Sequence, residues 1–193
     1  NFKEDVDFNY VSNPEFLREG SAVKDFLWPD RVIIGTGSLI AYEIMCDVYR
    51  SLYINKNPIS HTSVETAEMI KYASNSFLAL KISYINEIAN LCELVDADIH
   101  DVASAMGKDG RISDKFLHPG PGFGGSCFPK DLESLLAISN GYGVKMNTLT
   151  AAIKANREQK KHMCNKLEKL IAGGIKDKEI AILGLAFKAN TDD

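Results

Sequence analysis

Cys127 is the residue whose setting most suggests chemistry, since "GFGGSCFPKDLESLL" carries it from a glycine-rich turn into the first turn of a predicted helix. At a helix N-terminus a thiol faces unpaired backbone N–H groups and the positive end of the helix dipole, which stabilise the nucleophilic thiolate. Gly124 and Gly125 would let the backbone approach a ligand closely, and their N–H groups could bind an oxyanion or a phosphate. The alternative is a buried cysteine beside a turn that requires glycine. Residue types alone do not separate the two interpretations.

Two pairs of residues at a spacing of four could assist such a thiol. Asp131 follows Cys127 by four positions, which places both on one face of the predicted helix. It could position a water or accept a proton, although its charge opposes a thiolate unless a cation, Lys130 or Lys71, offsets it. Lys71 and Asn75, in "KYASN", offer a cation and an amide donor that suit a developing oxyanion. The alternatives are an ordinary acidic residue at a helix start and a solvated polar stripe.

Two further groups of charged residues give weaker signals. Glu15 and Glu19 repeat the spacing of four in "PEFLRE", so a helix there would present both carboxylates on one face for acid/base work or hydroxyl contacts. Acidic residues at a helix start need no such role. Arg111, Lys115 and Lys130 give the glycine-rich loop a basic character that fits a phosphate-bearing ligand or, more plainly, a solvated loop.

The remaining cysteines and the histidines carry no metal or redox pattern. They are Cys46, Cys92, Cys164, His61, His100, His118 and His162. The cysteines have no CxxC pair and lie in amphipathic patterns typical of buried small apolar residues, and the histidines lack metal-ligand spacing. The sequence therefore predicts no metal site and no redox dithiol.

The composition is that of a globular chain. Its 193 residues are 45 % hydrophobic, which is enough to bury a core in one or two domains. A net charge of −4 gives no support to a nucleic-acid or membrane-surface partner. No apolar run is long enough to span a membrane, and "NFKEDVDFNY" lacks the features of a signal peptide. A cytoplasmic location is the expectation that follows.

Strands and helices are predicted to alternate at the start of the chain. Apolar alternation predicts a strand from Val6 to Val11, and Pro14 with nearby acidic residues predicts a helix start. "RVIIGTG" predicts a second strand, followed by a helix from Leu39 to Tyr53. This order is typical of the edge of an α/β sheet, and since so small a sheet cannot stand alone we expect that further chain preceded Asn1.

A long helix is predicted next. Thr62 and Glu65 have capping-box spacing, and the segment from Ser63 to about Val95 has no Gly or Pro and keeps apolar residues at helical spacing. At about 1.5 Å per residue this helix would be about 50 Å long, a length common where helices cross between domains or subunits. A short helix is then predicted between Asp98, its N-cap, and Gly107.

The second half of the chain is predicted to be a loop, two helices and a strand. Residues 107–127 are rich in glycine and proline, but the embedded phenylalanines favour a functional loop over disorder. A helix opening at Pro129 and ending at Gly141 or Gly143 follows, and another begins at Asn147 and stops at "AGG". "EIAILGLAF" predicts a buried strand at the start of a further α/β domain.

Four segments, in this order, closely resemble the UDP-glucose/GDP-mannose dehydrogenase family: "NPEFLREGSAVKDF", "KYASNSFLALKISYINEIANLC", "GFGGSCFPKDLESL" and "ILGLAFKANTDD". The resemblance implies a mainly α fold, a helical central dimerisation domain with a long helix, flanked by α/β pieces of truncated Rossmann-like domains. The implied boundaries are 1–57 for the remnant of the NAD-binding domain, 58–173 for the central domain and 174–193 for the first strand of the UDP-binding domain. A homodimer through the long helix is the implied assembly.

The resemblance also implies an activity, the oxidation of the C6 alcohol of a nucleotide sugar, UDP-glucose, to a carboxylate with two NAD⁺. The aldehyde would be held on Cys127 and oxidised there to a thioester that water hydrolyses. Lys71 and Asn75 would stabilise the oxyanions, and Lys71 would supply the cation that offsets Asp131. Asp131 and Glu15 would transfer protons and activate the hydrolytic water.

Binding residues are implied in the same way. Glu19 and Lys130 would lie toward the nicotinamide cofactor, and Arg111 would reach into the site of the partner subunit. The implied substrate contacts are Phe16, Leu17, Arg18, Lys71, Arg111, Phe116, Leu117, His118, Pro119, Gly120, Gly124 and Lys188.

The sequence departs from the family's pattern in one respect, because it contains no GxGxxG after a first strand. We therefore expect a central fragment that does not turn over NAD⁺ by itself. The alternatives are the same chemistry on GDP-mannose or a UDP-N-acetylhexosamine, a two-electron dehydrogenase of the β-hydroxyacid type, and a non-catalytic dimerisation module. The cysteine motif argues against the β-hydroxyacid type, since those enzymes need no cysteine.

Overall fold

The computed structural model describes residues 3, 8–55 and 59–191, which fall into two compact units. The first unit contains the described residues up to Ser74 and the segment from Lys188 onward, and the second runs from Asn75 to Phe187. Helices make up most of the regular structure, so the predicted mainly α fold with a long helix is confirmed. None of the described helices has the length and apolar character needed to cross a membrane.

The first unit is built on a two-stranded parallel sheet. Its elements are α1 (Ala22–Leu27), β1 (Val32–Gly35), α2 (Leu39–Tyr49), a 3₁₀ helix (Arg50–Asn55) and β2 (Ile59–Thr62). The strands pair in a register that runs from Val32↔Ile59 to Gly35↔Thr62. All four residues of β1 are buried, as expected for an apolar run, and the parallel strands require the helical crossover that α2 provides.

The second unit is helical. The long helix α3 (Val64–Val95) leads into it, followed by α4 (Ile99–Gly107), α5 (Cys127–Gly141) and α6 (Asn147–Leu170). Each helix begins within two residues of its predicted position. Ile85 on α3, Leu132 on α5 and Leu149 on α6 are each at most 4 % exposed and belong to the core of this unit. Asp98 caps α4 as predicted, since its carboxylate accepts the His100 N–H at 2.7 Å.

Ser63, and not Thr62, caps the long helix. Its hydroxyl accepts the Thr66 N–H at 3.2 Å, which is the N-cap geometry, whereas Thr62 is the last residue of β2. The sequence analysis missed β2, because "NPISHT" is polar and contains a proline. The strand forms because its backbone pairs with the buried strand β1, a tertiary effect that local composition does not encode.

The N-terminal segment differs from its prediction. Of the predicted strand, residues 6 and 7 lie outside the described residues, and Ser12 just beyond it makes an isolated antiparallel bridge to Gly35. The helix predicted from Pro14 is wrong, since the first helix begins at Ala22. The Glu15 carboxylate accepts the Leu17 N–H at 2.6 Å, a local side-chain bond that competes with helix formation. Glu15 and Glu19 therefore share no helix face.

The predicted strand at 179–187 is absent from the described residues. Leu183 and Leu185 in this segment are 95 % and 87 % exposed, so the apolar run is not packed into a sheet. A strand is stable only when its backbone pairs with a neighbour, and no neighbouring strand among the described residues pairs with this one. The assignment of 174–193 to a further domain stays a prediction.

An ion pair fastens the segment before α1. The Arg18 guanidinium donates to both oxygens of the Asp25 carboxylate at 2.6 and 2.9 Å, and the Arg18 backbone N–H donates to the same group at 2.9 Å. These bonds, above all the side-chain bonds from Arg18, hold the pKa of the Asp25 carboxyl well below its usual range. The pair satisfies the Arg18 backbone N–H outside any helix.

Close packing at β1 predicts that Gly35→Ala destabilises the first unit by roughly 1–3 kcal/mol. A Cβ at Gly35 would lie 2.5 Å from the Ala67 Cβ and 2.7 Å from the Ser63 carbonyl oxygen, so backbone would have to shift. Gly37→Ala is the matched control, because its Cβ meets no described atom within 4 Å, and its effect should stay within about 0.5 kcal/mol. Urea unfolding measures both, and equal midpoints would contradict the prediction.

The Arg18–Asp25 pair predicts a stability difference that depends on pH. A depressed pKa stabilises the fold above the unfolded-state pKa of about 4 and less so as pH falls through the folded-state value. Asp25→Asn should therefore cost about 1 kcal/mol at pH 7, a difference that shrinks as pH falls from about 4 to about 2. Asp47→Asn, which removes an exposed pair with Arg50, is the control and should cost less than about 0.5 kcal/mol. A pH-independent difference in urea unfolding would overturn the assignment.

Candidate active site

Cys127 is the first residue of α5, so the predicted placement of a thiol at a helix N-terminus is confirmed. The residue is partly exposed, and its Sγ lies 3.9 Å from the Ser126 hydroxyl. Gly125 just before it has φ +72°, a left-handed conformation that turns the chain into the helix. The thiol is therefore partly accessible and lies at the N-terminal end of a helix.

Asp131, one turn along the same helix, is a buried carboxylate with two polar partners. It is 4 % exposed, its Oδ2 accepts from the Asn75 Nδ2 at 2.6 Å, and its Oδ1 accepts from the Lys130 Nζ at 2.7 Å. A buried carboxylate requires such compensation. The resemblance implies Lys71 as the offsetting cation, whereas the ammonium bonded to Asp131 among the described residues is that of Lys130. Asn75 meets Asp131 as an amide donor.

In the first unit, Lys71 and Glu15 form a second charged pair. The Lys71 Nζ donates to the Glu15 Oε1 at 2.9 Å and to the Glu15 backbone carbonyl at 2.6 Å. Lys71 also lies 5.6 Å from the centre of the Phe16 ring, and the Arg31 guanidinium lies 3.8 Å from the same ring. These cation–π contacts and ion pairs fix the Lys71 ammonium, which is only 15 % exposed. Two of the predicted catalytic residues are thus brought together.

The glycine-rich loop before α5 is held by packing and by side-chain amides. Leu117 and Phe123 are buried, and the Phe128 ring lies 6.0 Å from the Phe123 ring and 6.2 Å from the Phe116 ring. Phe116 has φ +64°, which re-aims the chain at this point. The backbone groups of Gly120 and Phe123 bond to amide side chains on α3 and α6. The predicted substrate-wrapping segment 116–120 is therefore an ordered loop.

Other predicted binding residues lie apart from these clusters. Arg18 pairs with Asp25, and Arg111 is 89 % exposed and pairs with Asp109 at 2.6 Å. The Arg111 guanidinium holds the pKa of the Asp109 carboxyl below its usual range. Of the remaining predicted contacts, Leu17, Pro119, Gly120 and Gly124 are partly exposed, and His118 and Lys188 are exposed. Their roles stay predictions.

The sequence analysis missed two sets of residues at this site. The first is the set of amides that bind the loop backbone, Asn86, Asn156 and Gln159. The second is Phe187, whose ring lies so close to Gly125 that a Cβ there would be 2.8 Å from the Phe187 Cε1. Helical spacing gives a weak signal for Asn86, a polar residue among apolar ones, but the signal does not name its partner.

The first unit fits part of a dinucleotide site. β1, α2 and β2 form the parallel strand–helix–strand unit of which dinucleotide-binding domains are built. The sequence contains no GxGxxG directly after a strand, which is where this segment cradles a pyrophosphate, and the GxGxxG letters at 120–125 lie in the loop before α5. The residues present therefore fit the sheet of such a domain and not its phosphate loop. Among the described residues no group of three His, Cys, Asp or Glu side chains could hold a metal ion.

Comparison with known proteins agrees with this geometry. Residues 1–53 match the sequence model of the "UDP-glucose/GDP-mannose dehydrogenase family, NAD binding domain", and residues 65–158 match that of the same family's central domain. The chain is 49 % identical over 190 residues to UDP-glucose 6-dehydrogenase of Rhizobium meliloti (strain 1021), covering 97 % of this chain and 44 % of the relative. UDP-glucose 6-dehydrogenase TuaD of Bacillus subtilis (strain 168) is 48 % identical, with 96 % and 40 % covered. The chain thus spans about four-tenths of the length of these relatives.

Solved structures give the same answer. A UDP-glucose dehydrogenase from Pyrobaculum islandicum superposes with a TM-score of 0.83 at 40 % identity, covering 88 % of this chain and 38 % of that one. A UDP-D-ManNAc dehydrogenase from Pyrococcus horikoshii gives 0.74 at 28 % identity, with 86 % and 38 % covered. The two family models together account for most of the sequence. The chain, whose thiol lies at the start of α5 and whose Asn75 contacts the buried Asp131, therefore belongs on the evidence of these models to the UDP-glucose/GDP-mannose dehydrogenase family.

Proposed function

We propose that this chain supplies the catalytic residues of an NAD-dependent dehydrogenase that oxidises UDP-glucose at C6 to UDP-glucuronate through a covalent bond to Cys127. The observation that carries the proposal is the accessible thiol at the start of α5, one turn before the buried, amide-bonded carboxylate of Asp131. Because no GxGxxG directly follows a strand in the sequence, the proposal concerns the chain as part of a longer enzyme and expects no turnover from the 193 residues alone. A cytoplasmic location belongs to the same proposal.

The first oxidation needs a base and a stabilised alkoxide. NAD⁺, when bound, supplies the two-electron hydride acceptor. Glu15 accepts the proton of the C6 hydroxyl, directly or through water, while the Lys71 ammonium beside it stabilises the developing alkoxide as hydride leaves C6. Lys71 and Glu15 can fill these two roles at one carbon because their side chains are already bonded at 2.9 Å.

Cys127 then holds the aldehyde for the second oxidation. Its thiolate attacks C6, the carbonyl π bond opens, and the resulting oxyanion is stabilised by Lys71 and by the Asn75 amide. An amide nitrogen has two N–H donors, of which Asp131 uses one. A second hydride leaves C6 of the thiohemiacetal and the C–S adduct becomes a thioester.

Hydrolysis releases the product. Water adds to the thioester carbon, Asp131 takes a proton from that water, and the C–S bond breaks as the Cys127 thiolate leaves. The helix N-terminus stabilises the departing thiolate. The overall balance is alcohol plus 2 NAD⁺ plus water giving carboxylate plus 2 NADH plus 3 protons.

Other nucleotide sugars are the second candidate substrates. The resemblance to a UDP-D-ManNAc dehydrogenase makes a UDP-N-acetylhexosamine one such candidate. The chain shares 28 % identity with that enzyme, less than the 49 % that it shares with a UDP-glucose 6-dehydrogenase. GDP-mannose is the other candidate sugar. Measuring NADH formation by the full-length protein with each of these sugars decides among them.

Cys127→Ala in the full-length protein should lower UDP-glucuronate formation from UDP-glucose by a factor on the order of 10³ or more, because the second hydride transfer needs the covalent adduct. Cys164→Ser is the matched control, since Cys164 is an exposed thiol on α6, and activity should stay within about two-fold. Stopped assays with aldehyde trapping distinguish loss of the second step from loss of both. Undiminished uronate production by Cys127→Ala would favour a non-catalytic dimerisation module.

The proposed assembly is a homodimer through α3. An apolar stripe on this helix, here called the α3 stripe, contains Phe77, Tyr84 and Leu91 at intervals of seven residues, each at least 49 % exposed. Seven-residue spacing is typical of helix–helix seams. A dimer would also bring one subunit's exposed Arg111 toward the other's site, and Lys81 steadies that loop by donating to the Ile112 and Ser113 carbonyls at 3.0 and 3.2 Å.

Leu91→Glu should weaken this dimer by about 100-fold or more in Kd, because it buries a charge in an apolar seam. Sedimentation velocity over a concentration series measures the change. Tyr142→Glu replaces an 84 % exposed aromatic residue outside the α3 stripe and should leave the dimer unchanged. Identical association constants for Leu91→Glu and the unsubstituted protein would rule out α3 as the interface.

A further inference from the structure

Buried amide side chains bind the backbone of the glycine-rich loop at two points. At Gly120 the N–H donates to the Asn86 Oδ1 at 2.7 Å and the carbonyl accepts from the Gln159 Nε2 at 2.8 Å. At Phe123 the N–H donates to the Asn156 Oδ1 at 2.7 Å and the carbonyl accepts from the Asn156 Nδ2 at 3.0 Å. Both backbone groups of both residues are therefore satisfied by side chains, which replace the hydrogen bonds of a regular element.

These amides, here called the amide cradle, are among the most buried polar groups of the second unit. Asn86, Asn156 and Gln159 are 2 %, 6 % and 5 % exposed. A buried amide is costly unless bonded. Asn156 and Gln159 use both polar atoms of their amides, whereas Asn86 uses its Oδ1 and its buried Nδ2 has no hydrogen-bond partner among the described residues. Asn90 donates to the Gln159 Oε1 at 2.8 Å, which fixes the Gln159 amide with its nitrogen toward the loop. The amide cradle is rigid because α3 and α6 carry it.

The loop between the two binding points has a backbone that fits the amide cradle closely. Gly122 has φ +112°, and a Cβ there would lie 2.5 Å from the Asn156 Oδ1. Only glycine permits both this conformation and this approach. From Phe123 the chain needs just four residues to reach Cys127, where α5 begins. The position of Phe123 thus limits where the thiol can lie.

We propose that Asn156 and Gln159, with Asn86, are positioning residues that fix the loop so that Cys127 and the substrate-wrapping segment hold one geometry. This inference rests on the proposed function, since it gives the loop a catalytic purpose. The residues contact neither thiol nor substrate in this role. They act through the backbone of Gly120 and Phe123.

Asn156→Asp in the full-length protein isolates the role. The substitution keeps the acceptor for the Phe123 N–H but, when ionised, sets a carboxylate oxygen against the Phe123 carbonyl. We expect kcat for UDP-glucose oxidation to fall about 10- to 100-fold at pH 9, the cost of a misplaced reacting group. Burial raises the pKa of the new carboxyl, and its protonated form donates as the amide did. The ratio of variant to parent kcat should therefore rise as pH is lowered toward 6.

Hydrogen exchange gives a readout that does not depend on activity. Amides of residues 118–125 should exchange about 10-fold faster in Asn156→Asp than in the parent at pH 9. Ser83→Ala is the matched control, because it removes a buried α3–α6 hydrogen bond to the Ala152 carbonyl at 3.1 Å without touching the loop. Its kcat and loop exchange should stay within about two-fold of the parent. If Asn156→Asp does not fold, Gln159→Glu makes the same test at Gly120.

The outcomes separate the two proposals. An inactive parent protein refutes the proposed function and leaves the exchange measurement to decide whether the amide cradle fixes the loop. An active parent whose Asn156→Asp variant keeps kcat and loop exchange within two-fold refutes the amide cradle alone. So does a kcat ratio that is constant with pH, or a Ser83→Ala loss that equals that of Asn156→Asp.

Discussion

The hydrogen bonds between buried amides and the backbone of residues 120–123 are the interactions on which the second unit depends. A glycine-rich loop has few side chains to pack, and its N–H and C=O groups still require partners. Asn86, Asn156 and Gln159 supply them from two helices that are themselves fixed by the apolar core. The order of this loop therefore comes from these helix-borne amides together with its own buried side chains, Leu117 and Phe123.

The charges near the thiol follow the same principle of local compensation. Asp131 is buried, and its desolvation is offset by one ammonium, from Lys130, and one amide, from Asn75. Lys71 is paired separately with Glu15. Each carboxylate thus has its own cation within its own unit.

Helices were predicted well from the sequence because their signals are local. The Gly- and Pro-free run to Val95, the Asp98 cap and the glycines around 141 lie within the segments they define. Strands depend on partners distant in sequence, and here prediction failed. β2 forms from a polar segment because β1 is beside it, while the apolar residues 179–187 form no strand among the described residues. The helix predicted at Pro14 failed because side-chain bonds, such as Glu15 to Leu17, satisfy the backbone differently.

In the candidate site, too, local signals could be recognised in the sequence and contacts between distant residues could not. The identity of Cys127, Lys71, Asn75 and Asp131 was available from spacing and from resemblance, whereas the amide cradle was not, since Asn156 on a polar helix looks like any solvated residue.

The proposed covalent four-electron oxidation requires the fixed loop that the amide cradle provides. The same carbon loses a hydride twice and then meets a water. The second hydride transfer and the attack of water both take place while this carbon is bonded to the Cys127 sulfur, so movement of the thiol would slow both steps. A thiol on the first turn of a packed helix, reached through a loop whose backbone is bonded at two points, has little freedom to drift. Rigidity at Gly120 and Phe123 is therefore a requirement of the chemistry proposed for Cys127, and the buried amides are the groups in this chain that supply it.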